Sequence, residues 1–157
     1  MELSLRLVRG GLVKILADLL DVTVAGNHTG LIGSAHLGLF VQGTPGFSES
    51  LTLADIVEAT YDGYARLPVA WGSTGQDPLG RPSVHGTSDL FSPTGSVTPN
   101  TLTGVFIADA LAAGNLLGLA YFPAQIIFNG IEDDLTIVPV VKIPSDLDNW
   151  GAINAIQ

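Results

Sequence analysis

Three histidines, His28, His36 and His85, are the groups in this chain that could trade protons near neutral pH. No two of them stand at metal-ligand spacing such as H-x-x-x-H, so neither a zinc centre nor a histidine base is expected. His36 falls inside a strand-like alternation and reads as structural. His28 and His85 fall in glycine-rich stretches that read as loops. Glu132-Asp133-Asp134 is the one run of acids, and carboxylates in a row can ligate calcium. The run lacks the alternating D-x-[DN]-x-[DN]-G pattern, so it reads as a solvated turn ahead of the last strand. Asp55 and Glu58, three apart, could share a helix face. Paired carboxylates can hydrolyse glycosides, but only when a cleft separates them correctly.

Other catalytic patterns are missing. The chain has no G-x-S-x-G elbow, no G-x-G-x-x-G, and no G-K-[ST] closing the glycine-rich "GNHTGLIG" at 26–33. It has no cysteine, which removes disulfides and thiolate metal sites. A non-enzyme without a cofactor is expected. Asn27-His28-Thr29 matches a glycosylation sequon by pattern alone.

The elements that would position these residues are mostly strands. "MELSLRLVR" at 1–9 alternates Leu3, Leu5 and Leu7 against Glu2, Ser4 and Arg6, the period of a strand or of an arm added to another sheet. "GLVKILADLL" at 11–20 has helical spacing, with Lys14 and Asp18 off the apolar face. These charges interrupt the apolar run and no small-residue cleavage site follows, so no signal peptide is read. Strands are expected at 35–41, 65–71, 104–109, 116–122 and 134–143. Thr52, with Asp55 three residues on, would cap one or two helical turns in "LADIVEA". Asp62-Gly63 supplies a reversal between Tyr61 and Tyr64. Pro68 cannot donate to a ladder and marks an edge strand. Residues 72–99, rich in glycine and proline, read as a long loop anchored by Val84 and Phe91. In the tail, Leu147, Trp150, Ile153 and Ile156 recur every third residue after the capping Ser145, as on one side of a short helix. Regular strands with turns between them predict a mainly β domain, a β-sandwich or jelly roll with a short N-terminal helix and extended terminal arms. The divisions are an arm and helix at 1–34, the β domain at 35–143 and the tail at 144–157.

Size and charge narrow the function. The chain of 157 residues suits one domain. Only 13% of its residues are charged and 46% are hydrophobic, against roughly a quarter charged in a typical soluble domain. A surface so poor in charge is expected to be covered in part by other subunits. The net charge of −9 argues against direct nucleic-acid binding. Residues 105–128 carry a single charge, Asp109, and are long enough to span a bilayer. Ala113-Gly114-Asn115 reads as a turn inside that run, so two buried strands account for it better, and no membrane contact is expected.

Several pieces together resemble a family of small virion proteins of tailed bacteriophages, the head-decoration or cement proteins. They are "LGLF" at 37–40, "LADIVEATYDGYARLPVAW" at 53–71, "GVFIADA" at 104–110, "LLGLAYFPA" at 116–124 and "DLTIVPVVKI" at 134–143, with Phe91 after the long loop. "GGLVKILADLL" resembles the family's short N-terminal helix. The E-A-x-Y-D-G-Y-A block is the most specific. The resemblance implies a sandwich-like, non-catalytic domain on the capsid exterior, with the major capsid protein and further copies of itself, as dimer or trimer, for partners. A neck, tail, receptor-binding or glycan-binding virion protein is the alternative. The loop at 72–99 and the tail depart from the family pattern and are where virus-specific contacts are expected. Interface candidates are Leu3, Leu5, Leu7, Arg6 and Arg9 in the arm. Arg66, Trp71 and Arg81 follow in the middle of the chain. Leu147, Trp150, Ile153 and Ile156 stand in the tail. Arg66 and Glu58 are expected to form a surface or interface pair.

Overall fold

Alternation of apolar residues in "AHLGLFV" does build a strand. The computed structural model describes residues 2–9, 11, 35–76, 82–87 and 89–142, and it is mainly β. In β2 (His36–Val41) Leu37, Leu39 and Val41 face one core cluster while Phe40 faces a second. β2 pairs antiparallel with β7 (Thr101–Ala108), and β7 with β8 (Leu116–Ile127). The loop joining β7 and β8 is the turn expected at 113–115: Ala113 has φ 56° and Gly114 φ 86°. The long apolar run from 105 to 128 is therefore a hairpin. Among the described residues no helix is long and apolar enough to cross a membrane.

The strand path runs β3 (Leu67–Pro68), β2, β7, β8, β1 (Glu2–Leu7), β9 (Leu135–Lys142), β5 (Pro82–Gly86), β4 (Trp71–Gln76) and is not closed. β1 (Glu2–Leu7) is the hinge of the two sheets. Its residues 2–5 run parallel to β9 (Leu135–Lys142), and Arg6 and Leu7 then pair antiparallel with Leu119 and Gly118 of β8. The N-terminal strand thus completes the chain's own sheets. Val8, past its end, is buried and donates its N–H to the Leu117 carbonyl at 3.0 Å.

Two aromatic–glycine exchanges fix the β2–β7 register. Gly38 pairs with Phe106 and Phe40 with Gly104. A Cβ on Gly38 would lie 2.4 Å from the Phe106 ring, and one on Gly104 2.3 Å from the Phe40 ring. Each ring fills the space its partner's missing side chain leaves. On that same face Phe47, Leu51, Leu53 and Ile56 from the connection after β2 cover Phe40, Phe106 and Leu119. The opposite face holds the larger cluster, in which β2, β7 and β8 meet Ile137 of β9 and Phe91. Burial on both faces explains the near-continuous apolar pattern of β7 and of the first half of β8.

Several expectations are corrected. The stretch 72–99 is not a loop throughout. It contains β4 (Trp71–Gln76), β5 (Pro82–Gly86) and β6 (Asp89–Phe91), with β5 and β6 both paired to β9. Pro82 opens β5. Pro139, inside β9, falls where pairing passes from β5, which ends opposite Val140, to β6, which begins opposite Ile137. A missing N–H costs least at such a gap. Gly86 lies against this proline, and a Cβ there would come within 2.6 Å of its ring. Phe91 is buried, as expected of an anchor. His85 lies in β5 rather than in a loop. The strand expected at 65–71 shrinks to β3 (Leu67–Pro68), and Trp71 starts the next strand. "LADIVEA" makes one 3-10 turn, Leu53–Asp55, whose Asp55 Oδ2 accepts from both the N–H and the hydroxyl of Thr52 at 2.8 Å. β8 runs five residues beyond Phe122, held by pairing of Ile126 and Ile127 with the start of β7. The helix expected at 11–20, apart from Gly11, lies outside the described residues. So do the connector up to residue 34, with Asn27 and His28, and Arg81 and the tail at 144–157.

Candidate functional site

The polar centre of the described structure forms where three elements meet. After the 3-10 turn the chain runs beside β2, and the Ala59 N–H donates to the Leu39 carbonyl at 3.0 Å. It reverses at Tyr61–Tyr64, closed by the Tyr64 N–H on the Tyr61 carbonyl at 3.0 Å, with Gly63 at φ 86°. Asp62 pins this reversal to residues 94–96 through three hydrogen bonds of 2.9 Å. The returning strand delivers Arg66 back beside Glu58.

Arg66 is 8% exposed. Its Nε and Nη2 donate to Glu58 Oε1 and Oε2 at 2.8 and 2.7 Å, a two-pronged pair. Its Nη1 donates to the carbonyls of Ala110 and Ala113 at 3.1 and 2.9 Å. The guanidinium carbon lies 5.1 Å from the centre of the Phe106 ring. Tyr64 completes the set. Its hydroxyl donates to Glu58 Oε1 at 2.6 Å and accepts the Leu39 N–H at 3.0 Å. The Leu39 carbonyl is farther, at 3.4 Å, so the single hydroxyl proton belongs to the carboxylate.

The electrostatics follow. Donating to the Glu58 carboxylate holds the Arg66 guanidinium above its ordinary range. Burial, followed by donation to the Glu58 carboxylate, pushes the Tyr64 phenol far up. Burial alone pushes Tyr61 up to about 12. The shifts carry the two phenols and the guanidinium away from neutrality, whereas general acid–base work requires a group that titrates near it. The arrangement holds segments together: one side chain ties the 58–66 reversal to the tip of the β7–β8 hairpin.

That tip is also locked from within. The Asn115 N–H and side-chain amide donate to the two Asp109 carboxylate oxygens at 2.6 and 2.9 Å. Beside it lies an open depression of about 590 Å³, walled by Glu58–Tyr61, Tyr64–Arg66 and Leu111–Ala113.

The sequence candidates distribute as follows. Arg66 is buried and its donors go to groups of its own chain, which corrects the expectation of an exposed surface pair. The reason is packing: the hairpin tip closes over it. Glu58 is partly exposed, at 27%. Trp71 is half-buried against the larger core cluster, and its indole N–H is buried without a partner, as are the Tyr61 hydroxyl and Asp89 Oδ2. Leu3, Leu5 and Leu7 lie on β1, paired with Pro139, Val141 and Gly118. Arg6 is exposed and stacks 5.0 Å over Phe47. Arg9 is exposed, with its N–H on the Glu49 carbonyl at 2.9 Å. Arg81, Leu147, Trp150, Ile153 and Ile156 lie outside the described residues. The acid run at 132–134 bonds locally: Asp133 accepts the Asn129 N–H and Asp134 accepts the Ser92 hydroxyl. Asp55 and Glu58 have separate partners, Thr52 and Arg66. No group of three or more potential metal ligands gathers among the described residues. Sequence reasoning missed that the hairpin tip belongs to the site. Ala110 and Ala113 take part through their carbonyls, and a carbonyl leaves no mark in residue type.

Comparison with protein-family models, with curated proteins and with solved structures finds no match.

Proposed function

We propose that this chain is a non-enzymatic structural protein of a tailed-phage virion, a sandwich-like or jelly-roll-like decoration or cement protein. It sits on the capsid exterior and bridges neighbouring subunits of the shell. The observation that carries this reading concerns the block Glu58–Ala65, through which the chain resembles that family. It is the block that locks the fold: Glu58 bonds Tyr64 and the adjoining Arg66, and Asp62 bonds backbone, as a folding signature would and as a reactive centre would not. The charge-poor composition supports the same reading, because a surface short of charge suits a protein that spends its life against other subunits. The net charge of −9 suits a position outside the shell, away from packaged DNA.

Quantitative mass spectrometry of purified virions tests this. A copy number near parity with the major capsid protein is expected. A few copies per particle would move the chain to the neck or tail, and its absence from particles would overturn the proposal.

A further inference from the structure

Leu111 is 58% exposed, the most exposed of the large apolar side chains among the described residues. It stands at the tip of the β7–β8 hairpin and on the rim of the 590 Å³ depression. A knob and a hollow lie side by side on one face. That juxtaposition is self-complementary: a two-fold axis beside them would place each copy's knob over the other copy's hollow.

The hairpin tip is also pre-organised. Arg66 holds the carbonyls of Ala110 and Ala113, and Asp109 holds Asn115. A contact surface already fixed in its bound shape loses little entropy on association. Nothing in the face calls for a small polar ligand instead. The donors and acceptors of Glu58 and Arg66 are committed to one another, to the Tyr64 hydroxyl and to the tip carbonyls, and the Tyr61 hydroxyl is buried out of reach.

Charge selects the occupant. Two copies of a chain carrying −9 repel, so they can meet closely only where no acid is left uncompensated. The walls of the depression carry one acid and one base, Glu58 and Arg66, and these are paired. The tip adds Leu111 and alanines, and the carboxylate at its base, Asp109, is taken up by the N–H and side-chain amide of Asn115. The face is therefore low in charge and partly apolar on an acidic molecule.

We infer that this face, the hairpin tip 110–113 together with the depression beside it, is where two copies of the chain pair about a two-fold axis, Leu111 of each seated in the depression of the other. The inference sharpens the reading of the chain as an oligomeric structural protein, on which its biological role rests, by naming the self-contact. Its test needs only the purified chain.

Sedimentation velocity across the micromolar range reads the oligomeric state. The wild-type chain is expected to sediment as a dimer. Leu111→Asp is expected to weaken pairing by about tenfold or more, because it places a charge in an apolar contact. Ala112→Arg, also at the exposed tip, serves as the second variant should Leu111→Asp fail to fold. Ile131→Asp alters a side chain 56% exposed in the turn before β9 and is expected to leave the dimer intact. A monomeric or trimeric wild type overturns the inference. So does a dimer that both tip variants leave intact, or one that Ile131→Asp dissociates equally. A failure here, with the protein abundant on virions, would dismiss the pairing face and leave the capsid reading standing.

Discussion

Arg66 and Glu58 face each other through two parallel hydrogen bonds, Nε to Oε1 at 2.8 Å and Nη2 to Oε2 at 2.7 Å, while the same guanidinium holds the hairpin tip. Breaking a buried pair from one side leaves the other charge without compensation, which costs more than the pair itself contributes. Glu58 is partly solvated, and that reduces the penalty. Arg66→Ala is expected to destabilise the fold by about 2–4 kcal/mol, read by urea denaturation. It should also loosen residues 110–113, seen as faster amide exchange there. An unchanged denaturation midpoint would mean that the pair is incidental.

Tyr64→Phe keeps the ring that stacks on Phe91 and removes only the hydroxyl. The Leu39 N–H then loses its acceptor inside the protein. A loss of about 1–3 kcal/mol is expected, the range for a stranded buried donor, with the Leu39 amide losing exchange protection first.

The glycines opposite the two phenylalanines should respond unequally. At Gly38 an added methyl meets the Phe106 ring at 2.4 Å and the Tyr64 hydroxyl at 2.9 Å, both side-chain atoms that can shift slightly. At Gly104 it also meets the Ala120 backbone carbonyl at 2.3 Å, which belongs to a paired strand. Overpacking commonly costs about 1–3 kcal/mol. Gly104→Ala is expected at or beyond the upper end and Gly38→Ala below it, compared by thermal unfolding of the two variants. The reverse order would contradict the register.

Asp89 gives a pH dependence of known sign. Burial raises its pKa above the ordinary 3.8, and its Oδ2 has no partner. The folded state therefore binds this proton more tightly than the unfolded chain does. Its contribution to stability is present at low pH and is lost as pH rises from 3.8 through the raised value. Asp55 acts in the opposite sense: the Thr52 N–H holds its pKa low, so its contribution is lost as pH falls. Denaturation of the wild type and Asp89→Asn at a series of pH values isolates the first effect. The difference curve should slope downward for the wild type across the acidic range and be flat above it.

Two of the three tyrosines should be silent at their usual pH. Burial pushes Tyr61 up to about 12 and Tyr64 further, while Tyr121 is exposed. The phenolate absorbance of Tyr61 and Tyr64 should rise together with unfolding, since stability falls once the unfolded chain ionises more readily than the folded one. Ionisation of more than one tyrosine near the ordinary 10 with the fold intact would mean that the Tyr61 or Tyr64 ring is solvated.

What could be read from the chain alone was local. Alternating apolar residues in "AHLGLFV" and "DLTIVPVVKI", and turn chemistry at Asp62-Gly63 and Ala113-Gly114-Asn115, are visible because strand period and backbone freedom are properties of residue types and their immediate neighbours. The alternation at 1–9 announced a strand but not its place, since the same pattern fits any open edge. Only the tertiary structure put β1 between β8 and β9. Only it raised strands from the glycine- and proline-rich 72–99, where a gap between β5 and β6 opposite Pro139 removes the objection to a proline within a sheet. The fate of Arg66 was decided there too. An arginine eight residues from a glutamate has no fixed environment until the hairpin tip, more than forty residues further along the chain, closes over it and offers two carbonyls. Burial and long-range pairing depend on what the rest of the chain brings near, and sequence spacing does not encode that distance.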